Sequence, residues 1–318
     1  MSPTARANLP LLGAYAMAPA DPDEAMAFYR ALAAEPIGGL EMPAPEADQD
    51  SAAVSVIAQR LQPGWQVMLT AVPVVMGRLG TDPAYGLASA DDTSRNRALA
   101  DVARAVDLAR RLADHDGDRR VTAIEVHSAP GPVLGSSDAL ARSLETIAGW
   151  DLAGARIVVE HCDALVAGQP AAKGFLTLGD EIATIRAVGA PAPLGIGINW
   201  GRSAIEGRNA HTPVEHIAAA VGAGLLRAVV LSGASDRTTA WGDAWGDAHI
   251  PSRGADAALT ASEGSLLDDE AMAETLAAAT ADTILAVKVS VRPRDVTVDR
   301  RVAVARAVLT QMEAHRVA

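Results

Sequence analysis

The chain has 318 residues, 49% of them hydrophobic, which is enough apolar material for a sizeable core. Its formal net charge is −12 and no run of Lys or Arg is longer than a pair, so a nucleic-acid partner is not expected. Cys162 is the only cysteine, which excludes an intrachain disulfide and a thiolate cluster. Residues 1–10 lack a signal-peptide pattern and no stretch is apolar enough to span a bilayer, so we expect a cytoplasmic protein with no membrane partner.

Short apolar runs alternate with segments of helical spacing along the chain. Strands are predicted at residues 11–17, 38–42, 65–72, 121–127, 156–163, 194–200, 227–232 and 284–290. Helices are predicted at residues 21–34, 51–61, 93–114, 136–149, 178–188, 213–223, 268–279 and 300–315, with a long loop at 73–92. A helix follows each strand, and no linker composition interrupts the pattern. The sequence therefore predicts an α/β protein in which residues 1–318 form one domain, a single (β/α)8 TIM barrel.

The most informative strand covers residues 156–163, Arg-Ile-Val-Val-Glu-His-Cys-Asp. Its β-branched residues indicate a buried parallel strand, and its polar end falls where parallel barrels carry their active sites. Glu160 is the leading catalytic candidate, with His161 and Asp163 beside it. Since successive strand residues point to opposite faces, His161 or Cys162 must face away from Glu160. A structural alternative stays open, in which Glu160 only holds an arginine or a helix N-terminus.

Polar side chains at the ends of other predicted strands extend the candidate site. His127 is a candidate acid or base, and Glu125 shares its face of the strand. An internal ion pair between these two residues is an equally open alternative. The candidate substrate-binding residues are Glu41, Glu125, Asn199, Arg202, Trp241 and Trp245.

Two groups of residues near the end of the chain are also candidates for catalysis or binding. Lys288 lies among alternating valines, where it can pair with the strand-five glutamate, bind an anionic group or form a Schiff base if desolvated. Asp247 and His249 are two residues apart in the long connection before strand eight and can converge on one ligand. Trp241 and Trp245 can supply an apolar wall for a sugar. The alternative is an ordinary loop, because Gly-Asp turns are common.

With these residues placed, the chain resembles the sugar-isomerase superfamily of barrels, which includes xylose isomerase-like epimerases and endonuclease IV-like enzymes. The resemblance is carried by residues 124–127 (Ile-Glu-Val-His), residues 158–160 (Val-Val-Glu) and the Asp-x-His of Asp247 and His249. It covers most of the chain, which looks like a poorly characterised branch of the kind described as a domain of unknown function. The resemblance implies a small-molecule carbohydrate substrate, a homo-oligomer, and a divalent metal (Mn, Co, Zn or Mg) bound by acids and a histidine from strands five to eight.

The chain departs from that metal-binding pattern at three strands. Asn199 stands where the family usually has an acid, and Ser232 stands where a histidine is common. Lys288 stands where a glutamate is expected. A lysine among the ligands repels the cation that a carboxylate would bind, so the loss of the usual metal site has to be considered.

Two models follow from these departures. In the first, no metal binds and Lys288 supplies the missing positive charge. The catalytic residues are then Glu160, Lys288, His249 and His127, acting in isomerisation or elimination beside a carbonyl. In the second, a relocated metal is held by Glu160, Asp247 and His249.

The function expected from either model is that of a carbohydrate-active isomerase, epimerase or lyase. It would act on a sugar, keto-sugar or sugar acid by acid/base chemistry at the C-terminal face of the barrel. The alternative is a non-catalytic sugar-binding or regulatory barrel with a degenerate metal site. DNA repair is disfavoured by the acidic charge and by the missing ligands of a three-metal site.

Overall fold

The fold follows from the alternation of strands and helices along the chain. A computed structural model describes residues 9–189 and 194–316, so most of the segment used for the signal-peptide prediction lies outside the described residues. The strands are β1 Leu11–Leu12, β2 Gly39–Pro43, β3 Gln66–Thr70, β4 Val121–Val126, β5 Arg156–His161, β6 Leu194–Asn199, β7 Leu226–Leu231 and β8 Ile284–Val287. They form one closed barrel in the order β1 to β8. The predicted (β/α)8 fold is confirmed.

Ten α-helices are present in the described residues. They are α1 Pro22–Ala31, α2 Asp50–Arg60, α3 Val72–Leu79, α4 Asp92–Asp116, α5 Ser137–Ala148, α6 Leu178–Val188, α7 Trp200–Gly207, α8 Thr212–Gly222, α9 Asp269–Ala278 and α10 Val298–Ala314. Short 3-10 helices occupy Ala14–Ala16, Leu32–Ala34 and Ala257–Ser262. Among the described residues, no helix combines the length and the apolar character that crossing a membrane requires.

Local sequence signals explain where the helices beside the site begin and end. The Thr177 side chain accepts a hydrogen bond from the backbone N–H of Asp180 and so caps the start of α6. Gly189, with φ of 63°, ends that helix in the left-handed conformation that glycine adopts without strain. The longest helix, α4, is capped in the same way, by Asp91 at its start and by Gly117 at its end. These signals fix the lengths of the helices that follow β3 and β5.

The described residues fall into two compact units. One unit contains residues 9–40, 60–65 and 198–316, and the other contains residues 41–59, 66–189 and 194–197. In the second unit, β3, β4 and β5 are parallel neighbours, with Thr70 opposite Glu125 and Glu125 opposite Val158. In the first unit, β1 is the parallel neighbour of both β2 and β8, and β8 pairs with β7. The expectation that residues 1–318 form a single domain stays a prediction.

Several predicted segments need correction. The strand expected at 11–17 stops at Leu12, and a 3-10 turn follows it at Ala14–Ala16. The loop expected at 73–92 begins with helix α3, whose first turn contains a proline. The helix tolerates proline there because the first backbone N–H groups have no partner within the helix. The strand expected at 194–200 ends at Asn199, because the Asn199 side chain caps α7 and Trp200 is already helical.

Candidate active site

The centre of the candidate site is a contact between the ends of β4 and β5. His127 directly follows β4 and Glu160 is the second-last residue of β5. Because Glu125 lies opposite Val158, the residues two positions further along each strand also become neighbours. His127 Nε2 lies 2.8 Å from Glu160 Oε2, and both side chains are fully buried. A carboxylate and an imidazole at this distance can share and transfer a proton.

The residues adjacent to this pair face the opposite way, towards helix α6. His161 Nδ1 lies 2.9 Å from Glu181 Oε2, and the Ser128 hydroxyl donates to Glu181 Oε1 at 2.5 Å. All three side chains are buried. Glu181 therefore links the end of β4 to the end of β5 on the face opposite to His127 and Glu160, as strand alternation requires. This network was not predicted from the sequence. The available signal was that Glu181 shares the buried stripe of α6 with Leu178 and Ile185.

Cys162 adds a third donor atom to the His127–Glu160 pair. One ligand atom from each of His127, Glu160 and Cys162 lies within 4.8 Å of the other two, and all three residues are buried. Cys162 lies two positions after Glu160, so these two side chains lie on the same face of the chain. The His161 side chain lies on the opposite face. Nitrogen, oxygen and sulfur donors at these separations are suited to hold a divalent metal ion. The predicted ligand set of Glu160, Asp247 and His249 did not include this cysteine.

Asp163, one of the initial candidates, serves the loop that follows β5. Its Oδ2 accepts backbone hydrogen bonds from Ala172 at 2.7 Å and from Lys173 at 2.9 Å. Its backbone carbonyl accepts two more, from Gly174 and Phe175. These hydrogen bonds show that the Asp163 carboxylate stabilises the conformation of the loop.

Two further carboxylates, those of Glu41 and Glu125, are fully buried on β2 and β4. Burial of an ionised carboxylate is unfavourable unless hydrogen bonds or opposite charges compensate it. Acidic groups held inside a barrel are therefore suited to bind the hydroxyl groups of a polar ligand. Their predicted role in substrate binding stays a prediction.

His127 also lines a cavity between the ends of β3 and β4 and the helices α3 and α4. Most of the side chains that line this cavity are apolar. Tyr85 lies in the same wall and donates its hydroxyl hydrogen bond to Asp101 Oδ2 at 2.6 Å. Burial raises the pKa of Tyr85 to about 12. The phenol therefore stays neutral at physiological pH and keeps the proton that it donates to Asp101.

The first unit contains a second polar cluster, built from β7 and the loop that follows it. Asp247 Oδ2 lies 3.2 Å from Arg202 Nε, and Asp247 Oδ1 lies 3.5 Å from His249 Nδ1. The Ser232 hydroxyl lies 2.8 Å from the same Nδ1. Since serine and aspartate meet one ring nitrogen, this is not the relay of a serine hydrolase, in which they occupy opposite nitrogens. Arg202 balances the charge of Asp247, which weakens that carboxylate as a metal ligand.

Backbone conformation helps to place the loop residues of this cluster. His249 has φ of 52° and Trp245 has φ of 62°, which are uncommon values for residues other than glycine. The Ser290 hydroxyl donates to the carbonyl oxygens of Ala248 and His249, so the residues after β8 hold the loop in position. A backbone held in this way at a polar cluster is typical of a functional loop.

Lys288 directly follows β8 and is fully buried. Its backbone N–H donates to Leu231 at 2.9 Å, which continues the pairing of β8 with β7. Its ammonium nitrogen lies 5.1 Å from the centroid of the Tyr15 ring, a cation–π contact. The strand predicted to reach Ser290 ends before this lysine, so Lys288 belongs to the rim of the barrel.

The other predicted binding residues differ in exposure. Trp241 is buried, while Trp245 is half-buried with the Arg208 guanidinium 5.2 Å from its ring centroid. Asn199 and Arg202 are buried at the start of α7, where Asn199 Oδ1 accepts from the backbone N–H of Arg202 at 3.4 Å. Asn199 thus lies at the end of β6, and its side-chain amide caps the start of α7.

Comparison with known proteins identifies the family. A family model described as a domain of unknown function, DUF4862, matches residues 11–304. The chain belongs to the DUF4862 family. An uncharacterized protein of Salmonella typhimurium strain LT2 is 36% identical to this DUF4862 chain over 253 residues, covering 76% of this chain and 77% of the other.

Solved structures similar to this DUF4862 protein include a sugar epimerase, a xylose isomerase-like barrel and endonuclease IV. D-psicose 3-epimerase, solved in the presence of D-fructose, has a TM-score of 0.58 at 14% identity, covering 94% of this chain and 96% of that one. A xylose isomerase-like TIM barrel protein from Mycobacterium smegmatis, in complex with magnesium, has a TM-score of 0.54 at 13% identity, with coverage of 97% and 99%. Endonuclease IV from Thermus thermophilus has a TM-score of 0.50 at 13% identity, with coverage of 91% and 94%. These likenesses show the fold, and the predicted resemblance to xylose isomerase-like and endonuclease IV-like barrels, in a family described as a domain of unknown function, is confirmed.

Proposed function

We propose that this DUF4862 protein is a sugar isomerase or epimerase that moves a proton at a carbon atom beside a carbonyl group. The observation that carries the proposal is the buried contact of 2.8 Å between His127 and Glu160 at the ends of β4 and β5. Active sites of (β/α)8 barrels form at the C-terminal ends of the strands, where this pair lies. The similarity to D-psicose 3-epimerase supports the substrate class, a sugar, keto-sugar or sugar acid.

In this proposal Glu160 is the base. One of its oxygen atoms contacts His127, and its carboxylate can take the proton from the carbon beside the carbonyl. His127 orients the carboxylate and exchanges a proton with it, so that the proton can be returned to the substrate. Elimination from the same intermediate, the reaction of a lyase, needs only a leaving group on the next carbon. The two residues thus account for acid and base at one centre.

Residues of other strand ends complete the proposed chemistry. Lys288 supplies a positive charge for the oxygen atom that becomes negative when the proton leaves. His249 is a second acid or base. Hydroxyl groups of the substrate are bound by Glu41, Glu125, Asn199 and Arg202, with Trp241 and Trp245 as apolar contacts.

A divalent metal ion fits the donor atoms of this site. His127, Glu160 and Cys162 offer one nitrogen, one oxygen and one sulfur atom within 4.8 Å of one another. A bound metal would polarise the substrate carbonyl as a Lewis acid. With the ion bound, His127 would be a ligand and the second oxygen atom of Glu160 would remain to act as the base, so proton removal by Glu160 is testable with or without the ion.

The experiment that tests the proposal is a substrate screen with a matched variant. Purified protein is incubated with a panel of ketoses, aldoses and sugar acids, with and without added divalent metals, and the products are separated by chromatography. Conversion of at least one sugar is expected, and Glu160→Gln should abolish it. The control is Glu145→Gln, which makes the same change on the exposed surface of α5 and should leave conversion intact. Full conversion by Glu160→Gln would remove Glu160 from the mechanism.

A second candidate function is favoured by the ion pair between Arg202 and Asp247. Arg202 pairs with the Asp247 carboxylate, which is one of the ligands in the relocated metal site. In addition, Asn199, Ser232 and Lys288 occupy positions where the resemblance implies metal ligands. A barrel that binds a sugar without converting it would tolerate these changes. Calorimetric binding of a sugar, with no conversion over a long incubation and with added metals, would favour this candidate over the enzyme.

A further inference from the structure

Cys162 places a sulfur atom beside the His127–Glu160 pair. The three residues come from the ends of neighbouring strands, and their ligand atoms lie within 4.8 Å of one another. His161 pairs with Glu181 at 2.9 Å on the other side of the strand, which leaves Cys162 on the face of Glu160. We propose that Cys162 is a thiolate metal ligand and that, with His127 and Glu160, it selects zinc or cobalt over magnesium.

Charge balance in a buried site supports a ligand set with two anions. His127, Glu160 and Cys162 are all buried, and a buried divalent cation is unfavourable unless its charge is compensated. Glu160 supplies one negative charge, and the Cys162 thiolate supplies the second when its proton leaves for solvent on metal binding. The complex of the ion with these three ligands is then neutral. With Glu160 as the sole anionic ligand, one positive charge would remain uncompensated.

The separations suit a tetrahedral ion. Zinc binds nitrogen and oxygen at about 2.0–2.2 Å and sulfur at about 2.3 Å, so tetrahedral ligand atoms lie about 3.3–3.8 Å apart. The His127–Glu160 contact of 2.8 Å would open by less than about 1 Å, as the ion replaces the shared hydrogen. Three protein ligands leave one position for a substrate oxygen or a water molecule, which is the arrangement of catalytic zinc sites.

The type of donor predicts the preference among metals. Thiolate sulfur is a soft ligand that favours zinc and cobalt, whereas magnesium prefers oxygen atoms in octahedral geometry. The similar barrel from Mycobacterium smegmatis was solved with magnesium. The proposal therefore assigns this chain a different metal preference, and it rests on the proposed function for the location of the chemistry.

The first test is an absorption spectrum of the unaltered protein. Chelator-treated chain without a polyhistidine tag is titrated with cobalt(II) in the absence of oxygen. The expected result is one cobalt per chain and a near-ultraviolet charge-transfer band from sulfur to cobalt. Because Cys162 is the only cysteine in the chain, this band can report no other residue. Stoichiometric cobalt binding without the band, or no cobalt binding, would overturn the proposal, and neither result depends on a variant that has to fold.

Variants then separate the ligands and test selectivity. Cys162→Ser should abolish the band and lower zinc affinity by at least about tenfold, and His127→Gln should lower zinc affinity similarly. The control His115→Gln changes an imidazole at the exposed end of α4 and should keep the band and the affinity. Cys162→Asp preserves the negative charge with a hard oxygen donor, so the ratio of zinc to magnesium affinity should fall. An unchanged ratio in correctly folded Cys162→Asp would contradict the assigned role of sulfur.

This experiment distinguishes failure of the inference from failure of the proposed function. If the sulfur-to-cobalt band forms but the protein converts no sugar, Cys162 is a metal ligand and the proposed isomerase function is wrong. Conversion of a sugar by a protein that lacks the band keeps the isomerase and rejects Cys162 as a ligand.

Discussion

His127 and Glu160 meet because the strands that carry them are paired in register. Glu125 lies opposite Val158, and two residues further along, the imidazole and the carboxylate come within 2.8 Å of each other. Both side chains are buried, so their hydrogen bond is formed in a low-dielectric environment where charged interactions are strong. The backbone pairing of β4 and β5 therefore sets the geometry of the proposed acid/base pair.

Replacing His127 by Gln should lower kcat by about 10²-fold or more, because the amide cannot exchange a proton with Glu160. The fold should survive, since Gln can still donate a hydrogen bond to the carboxylate. The measurement is the steady-state rate on the sugar found in the screen, with circular dichroism to verify folding. Wild-type kcat in the variant would show that His127 only packs beside Glu160.

Replacing Lys288 by Met should lower kcat by about 10²-fold or more, because a charge that stabilises the developing oxyanion is removed. Lys288→Arg should recover part of this loss. Lys173→Met is the matched control, since Lys173 is the only other lysine in the chain. Equal rates for Lys288→Met and Lys173→Met would leave Lys288 with a structural role, in its contact with Tyr15.

Replacing Glu181 by Ala should lower the free energy of unfolding by about 3 kcal/mol, because Ser128 and His161 lose their buried partner. The measurement is urea denaturation followed by circular dichroism. Glu145→Ala, at an exposed position, should change the same quantity by no more than about 0.5 kcal/mol. A loss in Glu181→Ala as small as in this control would show that the network contributes little to stability.

Replacing Gly201 by Ala should disturb the cluster around His249. A Cβ atom at this position would lie 2.4 Å from the backbone carbonyl oxygen of Ser232, so the backbone after β7 must shift. We expect a loss of about 1–3 kcal/mol in the free energy of unfolding. Gly222→Ala is the control, because a Cβ atom there meets nothing within 4 Å and should leave stability unchanged or raise it slightly. Similar values for the two variants would argue against this close approach.

The stability of the protein should fall in acid partly through Asp116. Burial alone would raise the pKa of Asp116, but hydrogen bonds from His115 and Arg120 outweigh it and lower the pKa below its usual value of 3.8. A carboxyl group with a lowered pKa in the folded state contributes stability above its unfolded pKa, and this is lost as pH falls through the folded pKa. The free energy of unfolding of Asp116→Asn should therefore depend less on pH below about 4 than that of the wild type. Parallel pH curves would contradict this assignment.

The strand ends were predictable from the sequence because each strand is short, apolar and followed by polar residues. Residues 156–163 show this pattern, and β5 does end at His161 beside a cluster of polar groups. The fold needs only the order of such segments, which a single sequence displays. Helix α3 was missed because its glycine and proline resemble loop composition.

The partners of the site residues were not predictable in the same way. Glu181 joins Ser128 and His161 through the packing of α6 on β4 and β5, and periodicity shows only that it lies on a buried face. The pairing of Asp247 with Arg202 depends on the path of a long loop. The periodicity of each strand predicts the face on which each side chain lies. The distances between side chains of different elements depend on strand register and on helix position.

Proton transfer through Glu160 is tested most directly by deuterium incorporation during sugar conversion in D₂O, followed by nuclear magnetic resonance. The product should carry deuterium at the carbon beside the carbonyl, and Glu160→Gln should incorporate none while Glu145→Gln behaves as the wild type. Conversion without deuterium would mean that the hydrogen moves without reaching a solvent-exchanging base. Conversion without deuterium that also persists in Glu160→Gln would contradict proton transfer through Glu160.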